Sequence, residues 1–176
     1  VRWPAGLDWA IGLKHVTSPT NARTVIAAAL PRCAAANSLP LLLPAADDAE
    51  AVAAYRRTAP LLLANLNAQV FDWLARGKLQ GQNLNLYILE QLPVIPPGAY
   101  SAGDADAVCR ALKTLCHTSD DLNGFARDLG HPGPPVPWCP NARSAARHTL
   151  DAVYRRLYAL KPQQSDRVIA HFQVGT

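Results

Sequence analysis

Methionine is absent from the 176 residues, and charge is sparse: Asp, Glu, Lys and Arg together make up 17%, against about 25% in an ordinary soluble domain. No run approaches the ~18 consecutive apolar residues of a membrane-crossing helix, so a spanning segment is excluded. Trp3, Pro4, Gly6 and Asp8 interrupt the start, so no signal-peptide core forms there. Glycine (10) and proline (15) are too few for a fibrous or low-complexity chain. The four cysteines, Cys33, Cys109, Cys116 and Cys139, contain no C-x-x-C pair, which excludes a zinc ribbon and a redox dithiol. A zinc site drawn from Cys109, Cys116, His117, His131 and Cys139 lacks the short loop that holds two ligands together. Cys109 and Cys116, seven apart, share one face of a helix and read as packing. The thiols are expected to be reduced, mostly buried and in a cytoplasm. A chain that starts at Val1 without Met reads as a piece of a longer parent.

Catalytic signatures are equally scarce. There is no phosphate-binding P-loop, no G-x-G-x-x-G and no G-x-S-x-G elbow. Neither H-E-x-x-H nor a deaminase H-x-E with P-C-x-x-C occurs. The histidines at 15, 117, 131, 148 and 171 are scattered. Paired acids occur only as Asp47-Asp48 and Asp120-Asp121, at expected helix N-termini, where they complement the macrodipole. The expectation is a chain with no active site, metal or cofactor of its own.

What is present is apolar and basic. Apolar residues reach 49%, 31 of the residues are alanine, and the net charge is +4 with 13 Arg against 4 Lys. Arginine suits bidentate contact with phosphates and guanine edges, although a high-arginine codon bias would give the same excess. Residues 7–17 alternate, with Leu7, Trp9, Ile11 and Leu13 on one face, and predict a strand. Residues 24–30 and 38–43 predict two more. Asp47 and Asp48 offer a cap for a helix through Arg57. Thr58 with Pro60 predicts a fresh helix over 58–76, on which Leu62, Leu63, Leu66, Val70, Trp73 and Leu74 form the buried stripe, with Gly77 as its stop. Leu86–Leu92 reads as a strand, and the prolines at 93, 96 and 97 mark a boundary. Helices are expected near Asp104, after Ser119 up to Gly130, from Asn141 to Leu160 and over 165–172, with an extended loop over 131–140. The predicted fold is α+β: a small, mostly antiparallel sheet packed on a long amphipathic helix, followed by a helical C-terminal layer. Residues 1–98 form the mixed portion and 99–176 the helical one, in one compact unit.

Two polar segments stand between apolar elements: Thr20-Asn21-Ala22-Arg23-Thr24, and Arg76-Gly77-Lys78-Leu79-Gln80-Gly81-Gln82-Asn83-Leu84-Asn85. Asn and Gln amides pair bidentately with adenine, and Arg and Lys with guanine or phosphate. An ordinary polar loop uses the same residues for its turns.

In order and spacing the chain resembles the large adenine-specific DNA methyltransferases of combined restriction-and-modification and phage-defence systems. Residues 20–32 are similar to the Asn-x-Arg-Thr…Ala-x-x-Pro-Arg segment of that family. Residues 61–72 (LLLANLNAQVFD), the 76–85 loop and Gln91-Leu92-Pro93-Val94-Ile95-Pro96-Pro97 follow in the family's order, as do 125–130, 150–160 and 169–172. The resemblance runs over about residues 7–173. An acid usual after the first Asn is Ala22 here, and a Gly-Gly-Thr-His stretch is Gln80-Gly81-Gln82-Asn83. The resemblance implies a target-recognition region that follows a catalytic domain. The Asn-Pro-Pro-Tyr motif and the S-adenosylmethionine site belong to that other domain. The implied partners are double-stranded DNA and the catalytic domain, with no membrane. The implied DNA contacts are Asn21, Arg23, Thr24 and Arg32, then Arg76, Lys78, Gln80, Gln82, Asn83 and Asn85. The rival expectation is a structural or assembly module, in which the arginines of 143–156 dock other domains without base contacts.

Overall fold

The alternation at the start folds as expected. Strand β1 spans Trp9–Leu13 in the computed structural model, which describes residues 2–173. It lies between β2 (Ala27–Pro31) and β3 (Leu41–Leu42), both antiparallel to it, with Trp9 opposite Pro31, Leu13 opposite Ala27 and Ile11 opposite Leu42. All five β1 residues are buried, the far face included, because Leu30 lies over Gly12. A Cβ on Gly12 would stand 2.3 Å from Leu30 Cδ1. The outer edge of β2 is closed. The Asn67 amide donates to the Ala27 carbonyl (2.9 Å) and accepts from its N–H (3.2 Å), and Pro31 has no N–H to offer. An edge so occupied does not invite further strands.

Helix α1 (Ala49–Asn67) begins where expected, with Asp48 accepting from Ala51 N at 2.8 Å. It does not restart at Pro60. Pro60 forfeits the bond to the Arg56 carbonyl, a local cost of about 3 kcal/mol. Ala59, Leu61, Leu63, Ala64 and Leu66 are buried around it, and their packing outweighs that cost. The break falls at Ala68, and α2 runs Gln69–Lys78, so Gly77 lies within it. Asp151, from the C-terminal half, caps this new start by accepting from Gln69 N at 3.0 Å. Burial raises the Asp151 pKa, and that hydrogen bond partly offsets the rise.

Leu86–Leu89 forms a short helix, α3, where the sequence predicts a strand. Asn83 bridges to Val16 and Leu84 N–H reaches the His15 carbonyl (2.8 Å), but that pairing ends there. The next residues satisfy their own backbone in a helical turn onto the Asn85 carbonyl. A single 3₁₀ turn (Pro97–Ala99) then leads to α4 (Ala102–Cys116), opened by a capping box of Ser101 and Asp104. Helix α5 (Asn123–Asp128) stops at Gly130, whose φ of +75° is the left-handed conformation that glycine adopts without strain. Helix α6 (Pro140–Leu157) starts on Pro140, with Cys139 rather than Asn141 at the cap position. Helix α7 spans Pro162–Gln173.

One apolar cluster draws on both sides of residue 98. Trp9 meets Phe125 edge-on at 4.7 Å and lies 5.4 Å from Tyr55, while its indole N–H donates to Asp128 Oδ2 at 2.7 Å. Tyr154 of α6 donates to the Leu61 carbonyl (2.8 Å) and accepts from Tyr100, and burial drives its hydroxyl pKa upward. Cys33 and Cys139 are exposed and Cys109 and Cys116 half-buried, so the thiols are not mostly buried as the sequence suggested. Burial nevertheless pushes the Cys116 thiol up to about 11. Among the described residues no helix is long and apolar enough to cross a membrane.

Candidate nucleic-acid interface

The inward face of α2 differs from the expected stripe. Val70, Phe71 and Ala75 are buried, but so is Asp72, while Trp73 is 42% exposed. Asp72 Oδ1 accepts from the backbone N–H groups of Thr24 (2.8 Å) and Val25 (2.5 Å), and Oδ2 accepts from Arg76 Nε (2.9 Å). Arg76 then donates to three carbonyls of the preceding turn, those of Pro19 (3.2 Å), Asn21 (2.8 Å) and Ala22 (2.9 Å). Arg23 lies with its Nε 3.8 Å from Asp72 Oδ1 and donates to the Asn67 carbonyl. Burial lowers the Arg23 pKa, and the Asp72 and Asp151 charges offset part of that effect. Phe172 of α7 covers both guanidiniums, with its ring centre 4.9 Å from Arg76 Cζ and 5.4 Å from Arg23 Cζ.

The first polar segment is therefore fastened to α2, with Thr20 and Ala22 exposed and the side chains of Thr24 and Arg76 turned inward. Thr24 is fully buried, its hydroxyl donating to the Ser18 carbonyl at 3.1 Å. The Arg76 side chain is 14% exposed with its donors occupied by the protein. These two residues were expected to face a ligand, and the structure turns them inward. Asn21 and Arg23 are half-buried at the edge of the same cluster. Arg32 is exposed just past the end of β2, about 17 Å of strand away from Ala27.

The second segment does what the first does not. Leu79 and Leu84 are buried and pin its ends, with Leu79 N bonded to the Ala75 carbonyl (2.9 Å). Thr17 N–H holds the Gln82 carbonyl (2.9 Å) from the other side. With both leucines anchored, Gln80, Gly81, Gln82 and Asn83 are exposed, as is Lys78. Among the described residues, no hydrogen bond or ion pair engages the side chains of Lys78, Gln80, Gln82 or Asn83. Asn85 is half-buried, its Oδ1 3.0 Å from His15 Nε2. Together these residues line one side of a half-open cleft of about 530 Å³, closed on the other side by Tyr87, Ile88 and Gln91 of the α3 region. Tyr87 and Gln91 were not singled out from the sequence. Their i, i+4 spacing on a helical turn is the signal, and it was hidden by reading 86–92 as a strand.

A second recess, of about 670 Å³, lies between β2, α4 and α6. Its floor is apolar, from Ala27, Ala29, Leu112 and Leu115, and Arg23, Arg143 and Arg147 contribute to its wall. Arg143 caps α4 by donating to the carbonyls of Thr114 (3.2 Å) and Leu115 (2.9 Å) and stacks on Trp138 at 4.1 Å. Its Nε is buried without a partner among the described residues. Among the described residues no three His, Cys, Asp or Glu side chains converge on a possible metal position. Comparisons with protein-family models, with curated proteins and with solved structures each returned no match, so any role rests on the chain's own residues and geometry.

Proposed function

We propose that this chain is a DNA target-recognition module of an adenine-specific methyltransferase of restriction-and-modification or phage-defence type, binding double-stranded DNA without transferring a methyl group itself. The observation that carries this reading is the 78–85 loop. Four polar side chains without partners among the described residues, Lys78, Gln80, Gln82 and Asn83, stand exposed on a loop clamped at Leu79 and Leu84. Lysine supplies phosphate contact and the amides supply base contact. The order of motifs along the chain supports the same assignment. On this reading S-adenosylmethionine and the reacting adenine belong to the parent's catalytic domain, and the module works in the cytoplasm.

Fluorescence anisotropy with a labelled duplex tests it. Affinity is expected to fall steeply as salt rises, and Lys78→Ala is expected to reduce the slope of log affinity on log salt by about 1. Binding that ignores salt, or a Lys78→Ala chain indistinguishable from wild type, overturns the reading.

The β2 recess favours a second reading, an assembly module. Its apolar floor and arginine-bearing wall suit a carboxylate-bearing apolar segment of the catalytic domain. Association through it would persist at salt concentrations that abolish DNA binding.

A further inference from the structure

The edge of a paired base lies at the floor of a groove about 8.5 Å deep. A protruding loop rim reaches it, and the interior of a recess does not. Gln80, Gln82 and Asn83 line the wall of a recess, with α3 facing them. Whatever enters must stand out from the nucleic acid, and only two parts do: the sugar–phosphate ridge and a base turned out of the stack.

The lining chemistry separates these two. A phosphate ridge calls for several cations, and Lys78 is the one cation among the lining residues. Apart from the Tyr87 hydroxyl, the other polar side chains of the lining are carboxamides, whose paired donor and acceptor match the edge of a base. Tyr87 is 61% exposed and lines the same cleft, and an aromatic ring is the kind of surface on which single bases stack. The volume of about 530 Å³ falls within the ~300–1,000 Å³ typical of small-molecule sites. The walls are set by the protein. Leu79 and Leu84 anchor the loop, and Gln91 Nε2 donates to the Tyr87 carbonyl at 3.0 Å.

We propose that the cleft between the 78–85 loop and α3 binds one unpaired nucleobase. Tyr87 stacks on its face, Gln80, Gln82 and Asn83 contact its edge, and Lys78 meets the adjoining phosphate. This rests on the DNA-binding reading and adds the class of structure that the site prefers.

The test compares three labelled probes on the full chain: a fully paired duplex, the same duplex with one bulged adenine, and the same bulge lacking its base. The adenine bulge is expected to bind about tenfold more tightly than the paired duplex. The baseless bulge is expected to match the paired one, which separates base binding from the flexibility of a bulge. Tyr87→Ala is expected to bring the adenine bulge to the affinity that the same variant has for the paired duplex, and Tyr87→Phe to keep the preference. Equal binding of all three probes overturns the inference and leaves duplex recognition standing. A baseless bulge that binds as tightly as the adenine bulge also overturns it, as does a preference that survives Tyr87→Ala. No binding to any probe overturns both readings together.

Discussion

Asp72→Ala is expected to lower the unfolding free energy by about 3–5 kcal/mol, the range for stripping one partner from a buried charged network. The Asp72 side chain is completely buried. It is the shared acceptor for the Thr24 and Val25 N–H groups and for Arg76 Nε. Alanine leaves two buried backbone donors unsatisfied, each worth about 1–3 kcal/mol, and removes the charge that balances Arg76. Asp72→Asn keeps the size and one oxygen, but its NH₂ must then face either the backbone donors or the guanidinium. A loss of about 2–3 kcal/mol is expected for it. Urea unfolding followed by circular dichroism measures both. A loss under about 1 kcal/mol for the alanine variant would place Asp72 among ordinary surface ion pairs, whose contribution is that small, and would contradict its role as a shared buried acceptor.

Trp9→Ala carries the second large effect, about 3–5 kcal/mol, the usual cost of removing a large aromatic from a core. Trp9 packs on Tyr55 of α1 and Phe125 of α5 and hydrogen-bonds Asp128. Tyr55 in turn donates to the Leu42 carbonyl (2.8 Å) and accepts from Ile11 N (2.9 Å), and burial raises its pKa to about 12. The indole thus joins the sheet to the first helix and to the C-terminal layer at once. Because the cluster spans residue 98, the variant should unfold in one transition shifted to lower urea. A chain that loses only its first portion, with the helices of 99–176 melting separately, would contradict a shared core.

The three strands of the sheet and most of the helices were legible because alternation and caps are local, but the run 86–92 reads as a strand and begins as a helix. Asp48 and Gly130 signal their helix ends wherever the chain goes, whereas the start expected near Asp104 is set by Ser101. The errors lie where a distant residue decides. Pro60 reads as a helix start until burial of Leu61 and Leu63 carries the helix through it. Ala68 shows no sign of a break, because the cap for the next helix comes from Asp151, far along the chain. The pattern of α2 puts tryptophan inside and aspartate outside. The structure reverses them because the backbone of 24–25 needs an acceptor. The two polar segments look alike in composition. What separates them is that Arg76 finds the carbonyls of Pro19, Asn21 and Ala22, and a backbone acceptor leaves no mark in the sequence. The 78–85 loop was readable as a polar, amide-rich segment, while its anchoring by Leu79 and Leu84 is what the structure adds.

The most direct measurement is an amide chemical-shift titration of the isotope-labelled chain with a short DNA duplex at low salt. The largest changes are expected over residues 78–91, with the Thr24 and Val25 amides, held by Asp72, close to their free positions. Changes gathered along the β2 recess and the arginines of α6, with 78–91 silent, would contradict the account.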